Sequence, residues 1–130
     1  MKRLTLLIVI LLALFPSCKK KKQGCMYATA INYDASAEIN DCSCIYKGKV
    51  SFYELSSDSL GLLFIHINDS TKKIIPILTA PSSCDQYGTY TYEDVPGIYS
   101  YKAYNIVGST ISNGSVTITS AGCTLERIKK

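Results

Sequence analysis

The chain has 130 residues, with 14 Lys and Arg against 10 Asp and Glu, a formal net charge of +4, and ten tyrosines without a tryptophan. The charge is unevenly spread: setting aside Lys2, Arg3 and Lys19 to Lys22 leaves eight basic residues facing ten acidic ones. A slightly acidic body with no basic face argues against nucleic acid as a partner, and about 100 residues allow one small core and one domain.

Residues 1–17 read as an export signal. Lys2 and Arg3 supply the basic start, Leu4 to Phe15 are apolar apart from Thr5, and Ser17 is the small residue before Cys18. As a helix the twelve residues from Leu4 to Phe15 span roughly 18 Å, short of the about 30 Å of a bilayer core. Pro16 disfavours helix at the residue before it. The order of charge, apolar run, Ser17 and cysteine resembles the signal of bacterial lipoproteins, in a relaxed form similar to that of Bacteroidota. The resemblance implies cleavage before Cys18 and acylation of Cys18. Residues 18–24 then form a lipidated, basic tether. Lys19 to Lys22 suit either a solvated spacer or attraction to anionic headgroups, which supports a single acyl anchor.

An exported chain can keep disulfides. If Cys18 carries lipid, Cys25, Cys42, Cys44, Cys84 and Cys123 remain, and one stays unpaired. Spacing alone does not assign the partners. Cys42 and Cys44 have no second close pair and only the distant His66, which does not match structural zinc spacings.

Residues 25–46 have no sustained apolar period and cannot bury a core of their own. The stretch from Gly24 resembles a cysteine-bounded motif of secreted Bacteroidota proteins through Gly24, Cys25, Ala30, Asn32, Tyr33, Asp34, Ala37, Asp41, Ser43, Cys44 and Tyr46. The resemblance implies pairing of Cys25 with Cys44. Cys42, standing where that motif has glycine, is left as the odd thiol. Asn32, Asp34, Asn40 and Asp41 are oxygen ligands of the kind calcium takes. They are equally turn formers, and there is no EF-hand loop.

From Gly48 onward the apolar residues alternate, the signal of half-buried strands. Val50 and Phe52 share a face, then Leu63, Ile65 and Ile67, then Ile75 and Ile77 with Lys73. Tyr90 and Tyr92 follow, then Tyr99, Tyr101 and Ala103, then Val116 and Ile118. Pro76 within its run predicts an edge strand or a bulge. Asn68-Asp69-Ser70, Pro81-Ser82-Ser83 and Pro96-Gly97 divide the runs, and Asn113-Gly114 predicts a tight hairpin. These elements predict an all-β fold. Residues 47–130 form an antiparallel β-sandwich of about seven strands, preceded by the signal helix and the short disulfide-closed segment. The region also resembles a second Bacteroidota pattern through Gly48, Val50, Phe52, Tyr53, Cys84, Gly97, Tyr99, Tyr101, Ala103 and Cys123. That resemblance implies an immunoglobulin-like or transthyretin-like sandwich and a Cys84–Cys123 disulfide.

Chemistry is sparse. His66 is the one histidine, in an apolar strand. There is no Gly-x-Ser-x-Gly elbow and no phosphate-cradling glycine loop. Glu93 and Asp94 are adjacent, so a strand would point them to opposite faces. The reading is a non-enzymatic lipoprotein of the cell envelope, on the periplasmic side or the cell surface. It needs no cofactor or metal. Its partners are the membrane, through the lipid on Cys18, and an envelope protein or glycan. The alternative is a glycan- or peptide-binding module that uses Tyr90, Tyr92, Tyr99 and Tyr101 as a stacking face. Buried, the same rings would be core.

Overall fold

The computed structural model describes residues 20–130; residues 1–17, where an export signal and its helix are expected, and Cys18 and Lys19 lie outside them. Among the described residues the elements are β1 (Gln23–Gly24), β2 (Ile39–Asn40), β3 (Gly48–Tyr53), a 3-10 turn (Ser56–Asp58), β4 (Leu63–Ile67), β5 (Ser70–Ile74), β6 (Tyr90–Asp94), β7 (Gly97–Asn105), β8 (Thr110–Ile118) and β9 (Cys123–Arg127). The fold is all-β, as the alternation predicts. β1 and β2 form a small parallel pair within the cysteine-bounded segment. The other seven strands form a three-stranded sheet, β6-β3-β9, and a four-stranded sheet, β5-β4-β7-β8.

The two sheets share one core. Val50 and Phe52 from β3 meet Leu63, Ile65 and Ile67 from β4, Ala103 and Tyr101 from β7, and Val116 and Ile118 from β8. The Phe52 ring lies 5.0 Å from Tyr101 and 6.1 Å from Tyr90, bridging the layers. Period-two alternation is thus explained by burial of one face of each strand. The four-stranded sheet is antiparallel throughout. In the three-stranded sheet β3 pairs antiparallel with β6 but parallel with β9. A last strand that returns to lie along the first needs no adjacent turn, so local pattern does not reveal its direction.

Two sequence expectations are corrected. The Asn113-Gly114 dipeptide lies inside β8 and makes no turn. The β7–β8 connection is Ile106 to Ser109, where Asn105 does the turn chemistry. Its Oδ1 accepts from the amides of Val107 (3.2 Å) and Ser109 (2.9 Å), and Gly108 has φ of +81°. Gly114 is needed for packing instead, because a Cβ there would press on the Tyr101 ring at 3.1 Å. The run from Ile74 to Leu78 is phased differently from the expected Ile75/Ile77 face. β5 ends at Ile74, which is buried, and the chain then leaves the sheet. The amide of Ile75 bonds Gly88 and that of Ile77 bonds Glu54. Pro76, without an N–H, lies two residues past the end of β5, which is itself an edge strand. The two tyrosine strands, β6 and β7, belong to different sheets, and Tyr92 and Tyr99 meet between them.

The loop between β5 and β6 folds over the outer face of the three-stranded sheet. Cys84 on this loop is bonded to Cys123 on β9. Beneath it Ser51 is fully buried, with hydroxyl bonds to Thr89 (3.1 Å) and Thr91 (2.6 Å). Gly48 begins β3 where any Cβ would overlap the Thr119 carbonyl oxygen, so the entry to the sandwich accepts only glycine.

Candidate functional site

The tyrosines are divided between the core and its margin. Tyr90 and Tyr101 are buried, and Tyr92 and Tyr99 are half-buried in an edge-to-face pair 5.8 Å apart. All four hydroxyls are engaged internally. Tyr90 donates to Ser70 (2.8 Å), Tyr92 to Asp94 (2.6 Å), Tyr99 to the Val95 carbonyl (2.8 Å) and Tyr101 to Glu126 (2.8 Å). Asn68 donates to the Tyr92 oxygen at 2.7 Å. Burial, helped by the neighbouring carboxylates, pushes the Tyr92 and Tyr101 phenols up to about 12. A stacking platform needs open ring faces, and this set is mostly interior.

The cysteines are arranged as the two resemblances imply. Cys25 is bonded to Cys44 and Cys84 to Cys123. Among the described residues Cys42 is a free, exposed thiol. Its φ is +61°, in the left-handed region. That conformation accounts for the glycine in the motif, because a Cβ there meets the backbone. The Asx residues around it act as turn formers. Asn40 Oδ1 accepts from the Cys42 amide (3.2 Å), and Asp41 Oδ1 from the Ser43 amide (3.0 Å). Asp34 Oδ1 takes the Ser36 amide (2.9 Å). The Lys22 ammonium 2.7 Å from Asp34, with the Ser36 bonds, lowers that carboxyl to about 2. Asn32 ties the segment across its middle, donating to the Ser43 carbonyl (2.7 Å) and accepting from the Ile45 amide (2.8 Å). Among the described residues no three His, Cys, Asp or Glu side chains gather as metal ligands would.

His66 stands on the outer face of the four-stranded sheet, with Nδ1 2.8 Å from the Thr71 hydroxyl. It lines an open groove of about 710 Å³ with Asn68, Ser100, Lys102, Asn113 and Ser115; none of the lining residues is a carboxylate. Ring, ammonium, amide and hydroxyl groups there can make hydrogen bonds, and the His66–Thr71 contact has no carboxylate among the lining residues to orient the ring as a base. Glu93 is exposed on β6, 3.9 Å from Lys49, while Asp94 accepts the hydrogen bond of the Tyr92 hydroxyl, so the two adjacent carboxylates serve separate contacts.

Sequence pattern did not single out Glu54 or the Asp58–Arg127 pair. Glu54 is fully buried; Oε1 accepts from the Leu60 amide (2.9 Å) and Oε2 has no partner. Burial pushes its carboxyl above the usual range. It lies just past β3, where the alternation has ended, so nothing local marks it. Arg127 closes the same loop with a two-nitrogen contact on Asp58 at 2.7 and 3.1 Å. Among the described residues no helix is long and apolar enough to cross a membrane. No protein-family model, no curated protein and no solved structure matches this chain.

Proposed function

We propose that this chain is a non-enzymatic lipoprotein of the cell envelope, anchored through acyl groups on Cys18, with a structural or protein-interaction role. One observation carries the reading: the order of basic start, apolar run, Ser17 and Cys18 leads directly into exposed lysines and a disulfide-closed domain. The two disulfides favour an oxidising compartment outside the cytosol. The resemblance to Bacteroidota lipoproteins supports the same address. Within that resemblance, the strand order departs from that of immunoglobulin constant domains. Immunoglobulin constant domains place the first, second, fifth and fourth strands in one sheet. Here the first strand of the sandwich, β3, instead shares a sheet with β6 and β9.

The tyrosine face does not supply a second reading, since its hydroxyls are taken up inside the domain. The test is the intact mass of membrane-extracted protein, with and without reduction and thiol capping. The expected result is a mass beginning at Cys18 plus acyl groups, with four further thiols, those of the two disulfides, capped only after reduction. A mass without lipid, or one beginning elsewhere, overturns the anchor.

A further inference from the structure

The cysteine-bounded segment carries more exposed apolar surface than its size explains. Met26, Tyr27, Ile31, Tyr33, Ile39 and Ile45 are each 40% exposed or more, six of the thirteen large apolar side chains exposed among the described residues. Exposed apolar side chains scattered singly need no explanation. Here they crowd into residues 25–46, where only Cys25 and Ala30 are buried apolar residues.

Chain length and connectivity place this segment. Gln23, the start of β1, lies five residues after Cys18, a reach of at most roughly 18 Å. An acylated Cys18 therefore holds the segment beside the bilayer. Lys20, Lys21 and Lys22 enter it exposed. Lys22 is taken by Asp34, and Glu38 and Asp41 are exposed, so the positive charge is local to the entering lysines. The segment's other end meets the sandwich where the Tyr46 amide donates to Ser120 (2.9 Å). That loop follows Ile118, at the end of β8 remote from the Ile106–Ser109 hairpin.

We propose that residues 25–46 form an interfacial foot that rests on the headgroup–acyl boundary of the bilayer. Tyr27, Ile31, Tyr33 and Ile45 enter the boundary, and Lys20 and Lys21 face anionic headgroups. Tyrosine is suited to that depth by its apolar ring and polar tip. Because the anchor makes the contact intramolecular, weak burial of each side chain is enough. The inference rests on the lipoprotein reading and adds an orientation: the foot lies on the bilayer and the Ile106–Ser109 hairpin points away from it.

Cys42, free and exposed within the foot, is a ready reporter site. The acylated full chain, labelled there with an environment-sensitive fluorophore, is reconstituted in phosphatidylcholine–phosphatidylglycerol vesicles containing a nitroxide lipid. A second preparation carries the probe at Ser109→Cys in a Cys42→Ser background. The expected result is quenching at position 42 and none at position 109. Replacing Tyr27, Ile31, Tyr33 and Ile45 with Ser should cut foot contact roughly tenfold, equal to about 1.4 kcal/mol. Tyr27→Ser alone, at the most exposed of these positions, should cut it in the same direction and guards against misfolding of the quadruple variant. An unquenched probe at position 42 on an acylated chain overturns the foot and leaves the anchor standing. Intact mass on the same sample reads acylation separately, and an unacylated mass removes both.

Discussion

Phe52 has no exposed surface, and its ring touches tyrosines of both sheets. Phe52→Ala removes those contacts and leaves a cavity between layers, a loss of about 3–5 kcal/mol. The urea midpoint measures it. At the other extreme, Cys42 holds a left-handed backbone angle on an exposed turn. Cys42→Gly should stabilise that turn by about 1 kcal/mol, the steric cost of a Cβ in this region. Slower amide hydrogen exchange across residues 25–46, with the sandwich unchanged, is the expected readout. The phased apolar residues made Phe52 recognisable from sequence. The strain at Cys42 was visible only as a departure from glycine in a resembling motif.

The two disulfides act on elements of different kinds. Cys84–Cys123 spans 39 residues and ties the loop that covers Ser51 to β9. Loop-closure entropy gives it about 4 kcal/mol, and Cys84→Ser with Cys123→Ser should lower global stability by an amount of that order. Cys25–Cys44 spans 19 residues in a segment with almost no core. Replacing both with Ser should open residues 25–46 to limited proteolysis while the sandwich keeps its denaturation midpoint. Equal loss of both regions would show that the segment and the sandwich unfold together. The element boundaries show the same division between local and distant causes. Asn113-Gly114 carries a strong turn signal, yet β8 runs through it because Tyr101 on the neighbouring strand needs the space over Gly114.

For the molecule as a whole, opposing titrations bound the stable pH range. Asp34, Asp58, Asp85 and Asp94 are held below their ordinary value, mainly by hydrogen bonds from Lys22, Arg127, Lys49 and Tyr92 respectively. Their stabilisation is present above pH 3.8 and is lost as pH falls, toward about 2 for Asp34. The phenols of Tyr92 and Tyr101 are pushed up from 10.0 to about 12. Their contribution is full below pH 10 and disappears as pH rises through 12. Urea midpoints across pH should fall on both flanks, with tyrosinate absorbance tracking the alkaline loss. Glu54 opposes the aspartates. Its raised carboxyl leaves the domain least penalised below 4.5 and progressively destabilised as pH climbs through the folded-state value. Glu54→Gln keeps the acceptor for Leu60, removes the buried charge and should raise the midpoint at neutral pH; an unchanged midpoint there would count against the buried charge as a cost.

What sequence determined by itself was whatever depends on nearby residues. Alternation marked the inward face of most strands, and Pro and Asn-Asp clusters marked several turns. The resemblances carried the cysteine pairs, which spacing left open. Tertiary structure decided what depends on neighbours distant in the chain. The parallel pairing of β3 with β9, the burial of Ser51 under the loop that carries Cys84, and the isolation of Glu54 are of this kind. So is the division of the tyrosines between core and margin, because a strand's period names its two faces but not which sheet will cover them.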